Sequence, residues 1–168
     1  MQKSPTNRYH VGSAGWAHAA WLGSFYPEDL PPEWQLTFYS NAFSCVYLPY
    51  LEWSQRDDAA LSGWADDVAA RFRFVLEANP QGMNAEDSRK MALLGSCAGL
   101  LVDAAGAVDP CGGVEGEVLW LEKDHDLKRL AQSLQVKGAG GAPTFLVSRE
   151  HDLDILRRVQ TLLEIMAF

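Results

Sequence analysis

Val11-Gly12-Ser13-Ala14-Gly15-Trp16, then Trp21-Leu22-Gly23-Ser24-Phe25-Tyr26-Pro27 and, further on, Phe43-Ser44-Cys45-Val46-Tyr47-Leu48-Pro49-Tyr50 form the stretch on which the fold turns. A short apolar run ends in glycines and a tryptophan, an aromatic turn follows, and a second apolar run comes after a helical interval. That order continues along the chain. Strands are expected over Tyr9 to Ser13, Ser44 to Leu48, Arg73 to Ala78, Gly99 to Asp103, Gly116 to Glu122 and Thr144 to Ser148. Between them lie helical stripes: Leu36, Tyr39 and Phe43 after Pro31-Pro32; Leu61, Trp64 and Val68 after Asp57-Asp58; Met91 and Leu94 after an Asn84/Asp87 capping box. Asp124 or Asp126 opens the helix of Leu127, Leu130 and Leu134, and Asp152 opens that of Ile155, Val159, Leu162 and Met166. Apolar runs alternating with helices indicate βα units and a mainly parallel sheet.

Gly15-Trp16, Trp21, Gly23 and Phe25-Tyr26-Pro27, with Trp64 and Phe72-Arg73-Phe74 beyond them, resemble the YecE-like family, domain of unknown function 72. The likeness runs from Val11 to Asn79 and implies a barrel of the TIM type, with Trp16 entering its cavity. Three departures bear on chemistry. The family's second strand typically reads Val-Glu-Ile-Asn, and here it is Val46-Tyr47-Leu48-Pro49; its third strand typically carries Lys where this chain has Glu77. In the implied barrel these positions face the cavity, so a site built on Glu, Asn and Lys cannot work with Tyr47, Pro49 and Glu77.

A complete eight-stranded barrel takes roughly 200 residues or more, and the chain has 168. The expectation is therefore an α/β, TIM-barrel-like (β/α) fold, shortened or incomplete, with about six mainly parallel strands in a single domain over residues 1–168. The 48% apolar content suffices for a sizeable core. A net charge of −8 without a basic cluster argues against nucleic acid or an anionic membrane as partner. No apolar run reaches the length of a membrane span, and the polar Met1 to His10 stretch does not read as a leader, so a cytoplasmic location is expected. Cys45, Cys97 and Cys111 form no Cys-x-x-Cys pair, which excludes a ribbon-type zinc site and speaks against a disulfide framework.

Ligands of such folds bind beyond the carboxyl ends of the strands. Pocket candidates there are Trp16, His18, Tyr47, Tyr50, Trp53 and Glu77; the aromatic ones either plug the cavity or shape an apolar pocket for a small ligand. Glu77, Asp103, Glu122, His125 and His151 are the donors that a metal-dependent hydrolase or isomerase would use, although none has metal-ligand spacing. Gly12-Ser13-Ala14-Gly15 lacks the later glycine of a dinucleotide fingerprint, and no Gly-x-Ser-x-Gly elbow occurs. No cofactor is expected. The first functional expectation is a non-catalytic binding or interaction protein, the metal-dependent enzyme being the alternative. A shortened barrel leaves strand edges and helix faces uncovered, and the last helix ends in Ile165-Met166-Ala167-Phe168, so a symmetric homodimer is expected. Sedimentation at micromolar concentration checks this: the expected species has twice the 18.6 kDa of the chain, and an 18.6 kDa species refutes it.

Overall fold

The computed structural model describes residues 8–109, 112–136 and 142–166. Six parallel strands, β1 (Tyr9–Ala14), β2 (Cys45–Leu48), β3 (Arg73–Glu77), β4 (Ala98–Val102), β5 (Glu117–Leu121) and β6 (Thr144–Ser148), pair in the order β4-β3-β2-β1-β6-β5. The sheet curls into a half-barrel. Its curvature shows in the rings of Tyr47 on β2 and Trp120 on β5, which meet edge to face at 5.1 Å although two strands separate them. The expected strand bounds agree with these to within one residue at each end.

Among the described residues, six α-helices surround the sheet: α1 (Gln35–Ala42), α2 (Tyr50–Ser54), α3 (Asp58–Asp67), α4 (Ala85–Leu93), α5 (Leu127–Val136) and α6 (Leu153–Met166). Alternate strand residues Val11, Val46, Leu48, Phe74, Leu76 and Leu146 bury against Leu36, Tyr39, Leu61, Leu130, Ile155 and Val159 of the helices. The helix starts are built as the sequence indicates. Asp57 accepts from the Ala60 amide at 2.8 Å, Asn84 and Asp87 form a reciprocal capping box, and Asp152 accepts from Ile155 at 3.0 Å. Asp126, rather than Asp124, precedes α5 and accepts from the Lys128 amide at 3.0 Å. The short helix α2 has no apolar stripe of its own and was not foreseen; Pro49 stands before it, and its Trp53 is buried.

The concave face is filled rather than hollow. Cys45, Tyr47, Val75, Leu100, Val102, Phe145 and Val147 are all buried there, with Val118 and Trp120 packed against them. Between β4 and β5 there is no α-helix among the described residues, and residues 103–109 fold back along the outer edge of β4. Val102 and Val108 form an antiparallel bridge, and the Asp109 amide donates to the Leu101 carbonyl at 2.8 Å. Gly106 makes this turn with φ +92°, and a Cβ there would lie 2.9 Å from Nε1 of Trp120. Cys45 lies in this core as a buried free thiol whose pKa burial pushes up, Cys97 is half-buried and free, and Cys111 lies outside the described residues, as do residues 137–141 of the second glycine-rich loop. Among the described residues no helix is long and apolar enough to cross a membrane.

β1 and β2 approach so closely that a Cβ on Gly12 would run into the Cys45 carbonyl oxygen. The buried Tyr39 hydroxyl bridges this seam, donating to that carbonyl at 2.7 Å and accepting from the Ser13 amide at 2.8 Å. At the amino-terminal end of the interior, His10 stacks on Phe145 at 4.9 Å and donates from Nδ1 to the Ser44 carbonyl at 3.2 Å. Burial is the main reason its pKa falls from the ordinary 6.5 to about 4. The unfolded chain therefore takes up this proton more readily than the folded one, and acid favours unfolding. The stability held by a neutral His10 is complete above about pH 6.5 and is lost between about 6.5 and 4, in all by about 3 kcal/mol. Urea unfolding across that window checks it: a His10→Phe variant should show a correspondingly shallower decline, and equal declines would refute the assignment.

Candidate functional site

The sequence candidates divide into three places at the carboxyl ends of the strands. Tyr47 and Glu77 close the top of the filled interior. The Tyr47 hydroxyl donates to Glu77 Oε2 at 2.5 Å, and Glu77 Oε1 accepts from the Tyr50 amide at 3.3 Å. Burial first, then the hydrogen bond and charge of Glu77, raise the Tyr47 pKa, so this phenol stays a donor. Above them, the Arg149 guanidinium lies 3.8 Å from the Trp120 ring centroid and donates to the Ala104 carbonyl at 3.2 Å, while Trp120 Nε1 donates to Ala105 at 3.1 Å. Polar groups at the mouth of the interior are thus spent on one another.

Tyr50 and Trp53 belong to a second, structural cluster. Trp53 Nε1 donates to the Glu77 carbonyl at 2.9 Å and meets the Tyr50 ring edge to face at 5.4 Å. The Tyr50 hydroxyl donates to the buried Asp87 at 2.7 Å, and Asn79 donates to both. Since Asp87 also closes the capping box of α4, this network ties α2, β3 and α4 together.

Trp16 and His18 lie elsewhere, in a cleft of about 350 Å³ where the ends of β1, β2 and β6 converge. Gly15, at φ +72°, turns the chain out of β1 so that both side chains line this cleft, joined by Pro49, Glu52, Arg56, Trp64 and His151. The rings of His18 and His151 stack at 3.8 Å. Both donate to one acceptor, the Ala14 carbonyl: His18 through Nε2 at 2.9 Å and His151 through Nδ1 at 3.1 Å. A carbonyl oxygen cannot donate, so these contacts fix the proton on the bonded nitrogen of each ring. Burial first and the neighbouring His151 second push the His18 pKa down, which keeps His18 neutral at pH 7. His151 is held at φ 52°, a conformation that favours glycine, and its carbonyl accepts from Trp21 Nε1 at 3.2 Å.

The five metal-donor candidates are not brought together. Glu77 is engaged by Tyr47, Asp103 accepts from the amides of Ala105 and Ala107 within its own turn, the His125 ring accepts from the Glu122 amide, and His151 is in the cleft. Among the described residues no group of three or more His, Cys, Asp or Glu side chains is placed to hold a metal ion. Conversely, the sequence reading missed Arg56 and Trp64 as cleft residues. Trp64 looked like part of a helix stripe, and only the fold brings it edge to face with Trp16 at 4.9 Å.

A family model described as "Protein of unknown function DUF72" matches residues 10–135. The crystal structure of a DUF72 family protein from Thermotoga maritima superposes with a TM-score of 0.60 at 12% identity, covering 93% of this chain and 99% of that one; at this identity the likeness concerns the fold. No curated protein matches the chain. The contact that closes the interior can be tested by stability. Tyr47→Phe leaves a Glu77 oxygen without its donor and should cost about 1–3 kcal/mol in urea unfolding; an unchanged midpoint would show that the bond contributes nothing.

Proposed function

The chain belongs to the DUF72 family, and within it we propose that this protein acts as a single-domain, non-catalytic binding protein that holds a small ligand in the cleft at the ends of β1, β2 and β6. The observation that carries the reading is the contrast between a filled interior and an open, lined cleft beside it. Tyr47, Phe145, Val147 and Trp120 occupy the space where a barrel enzyme would place its substrate, and Tyr47 and Glu77 satisfy each other. The cleft has the small end of ligand-pocket volume, roughly 300 Å³ upward, and combines aromatic walls with a few polar groups. Among its described lining residues no nucleophile is hydrogen-bonded to a general base. The two imidazoles are both anchored to a backbone carbonyl rather than to a hydroxyl or thiol. The metal-dependent alternative draws no support from the placement of Glu77, Asp103, Glu122, His125 and His151.

A fragment collection screened by amide and indole chemical-shift mapping tests this. Hits should perturb Trp16, His18 and Trp64 and leave Tyr47 and Trp120 unmoved, and the bound compounds should be recovered unaltered. Hits confined to the interior, or conversion of a bound compound, would overturn the proposal.

A further inference from the structure

The cleft has a hydrogen-bonding inventory that selects among ligand classes. His18 and His151 each spend one ring nitrogen on the Ala14 carbonyl. The His18 ring faces the Gly15 carbonyl as well, whereas in the neutral ring of His151 the other nitrogen, Nε2, is an acceptor with no protein partner among the described residues. Trp16 and Trp64 line the same cleft, and among the described residues their indole N–H groups make no hydrogen bond, whereas Trp21, Trp53 and Trp120 all donate to backbone carbonyls. The lining therefore offers two unspent donors and an unspent acceptor.

Charge narrows the choice. Glu52 and Arg56, one helical turn apart, lie 3.6 Å from each other, so the side chains that could attract an ion already face an opposite charge. Shape narrows it further. The Trp64 ring has Phe74 stacked on it at 6.1 Å and the Arg56 guanidinium over it at 5.7 Å, and it meets Trp16 edge to face. Phe74 and Arg56 thus occupy Trp64 ring surface on which a flat base would stack. A hydroxyl is the neutral group that donates and accepts at once.

We propose that this cleft takes a neutral, polyhydroxylated ligand of monosaccharide size, its hydroxyls donating to His151 Nε2 and accepting from the indole N–H groups of Trp16 and Trp64. The proposal rests on the binding reading above and names its ligand class. Aliphatic C–H groups of such a ring would lie against Pro49 and the aromatic rims, and Glu52 and Arg56 stand at the opening to receive further hydroxyls.

Titrating the full chain with methyl glycosides of the common hexopyranoses, and separately with inorganic phosphate, propylamine and adenine, tests it through the indole N–H resonances. At least one glycoside should shift Trp16 and Trp64. Trp64→Phe, which keeps a ring but removes the donor, should weaken that glycoside about tenfold, the equivalent of one hydrogen bond. His151→Gly, which removes an acceptor at a backbone conformation glycine adopts freely, should do likewise with the melting transition retained. Shifts with phosphate, propylamine or adenine but with no glycoside overturn the ligand class while leaving a binding cleft. Glycoside binding untouched by both substitutions overturns the site. No response to any probe, together with no cleft hits in the fragment screen, overturns both readings.

Discussion

A parallel sheet exposes two apolar faces, and in this chain the concave one has no partner layer to cover it. A complete barrel solves the problem by closing, so that strands on opposite sides fill the middle with each other's side chains. Here β4 and β5 stand at the two ends of an open sheet, and the interior is instead filled by residues large enough to reach across the gap. Phe145, Tyr47 and Trp120 do this, joined by Leu100, Val102, Val75 and Val147. Each large side chain taken out of water contributes about 1.5–3 kcal/mol, so leaving this face open would forfeit much of the fold's stability. The rest of the architecture follows from that requirement.

Filling the middle with Tyr47 brings a hydroxyl into the core, and a buried hydroxyl needs a partner. Glu77 supplies it, and Glu77 is in turn positioned through Trp53 and the Tyr50 amide by the short helix α2. The bare edge of β4 is the second liability of an interrupted barrel, since unpaired strand groups invite pairing with other chains. Residues 103–109 turn back on that edge, and Trp120 and Arg149 pin the same turn over the interior. Edge and interior are thus protected by one segment.

The candidate ligand cleft lies to one side of the filled centre because that is where the chain leaves adjacent strands in two directions. The turn after β1 and the turn after β6 bring His18 and His151 into a stack, and a single carbonyl, Ala14, orients both rings. Such shared anchoring fixes which nitrogen of each ring carries the proton, which is how a site made of commonplace residues acquires a defined hydrogen-bonding pattern.

Strand positions, helix caps and the family motif were legible from Val11-Gly12-Ser13-Ala14-Gly15-Trp16 and the stretches after it because each depends on neighbours a few residues away. Asp57, Asn84 with Asp87, and Asp152 cap within three residues of themselves. Helix α2 escaped because five residues carry too little periodicity to read. Of the pocket candidates, Trp16 and His18 share the cleft, whereas Tyr47, Glu77, Tyr50 and Trp53 serve the closed interior and its support. That division was decided by tertiary structure alone. Tyr47 and Glu77 meet across 30 residues, and His151 reaches the Ala14 carbonyl across 137. Side-chain type and local spacing determine which strands and helices form; which side chains then face each other depends on sheet order and curvature, and these are set only when the concave face finds enough apolar volume to fill it.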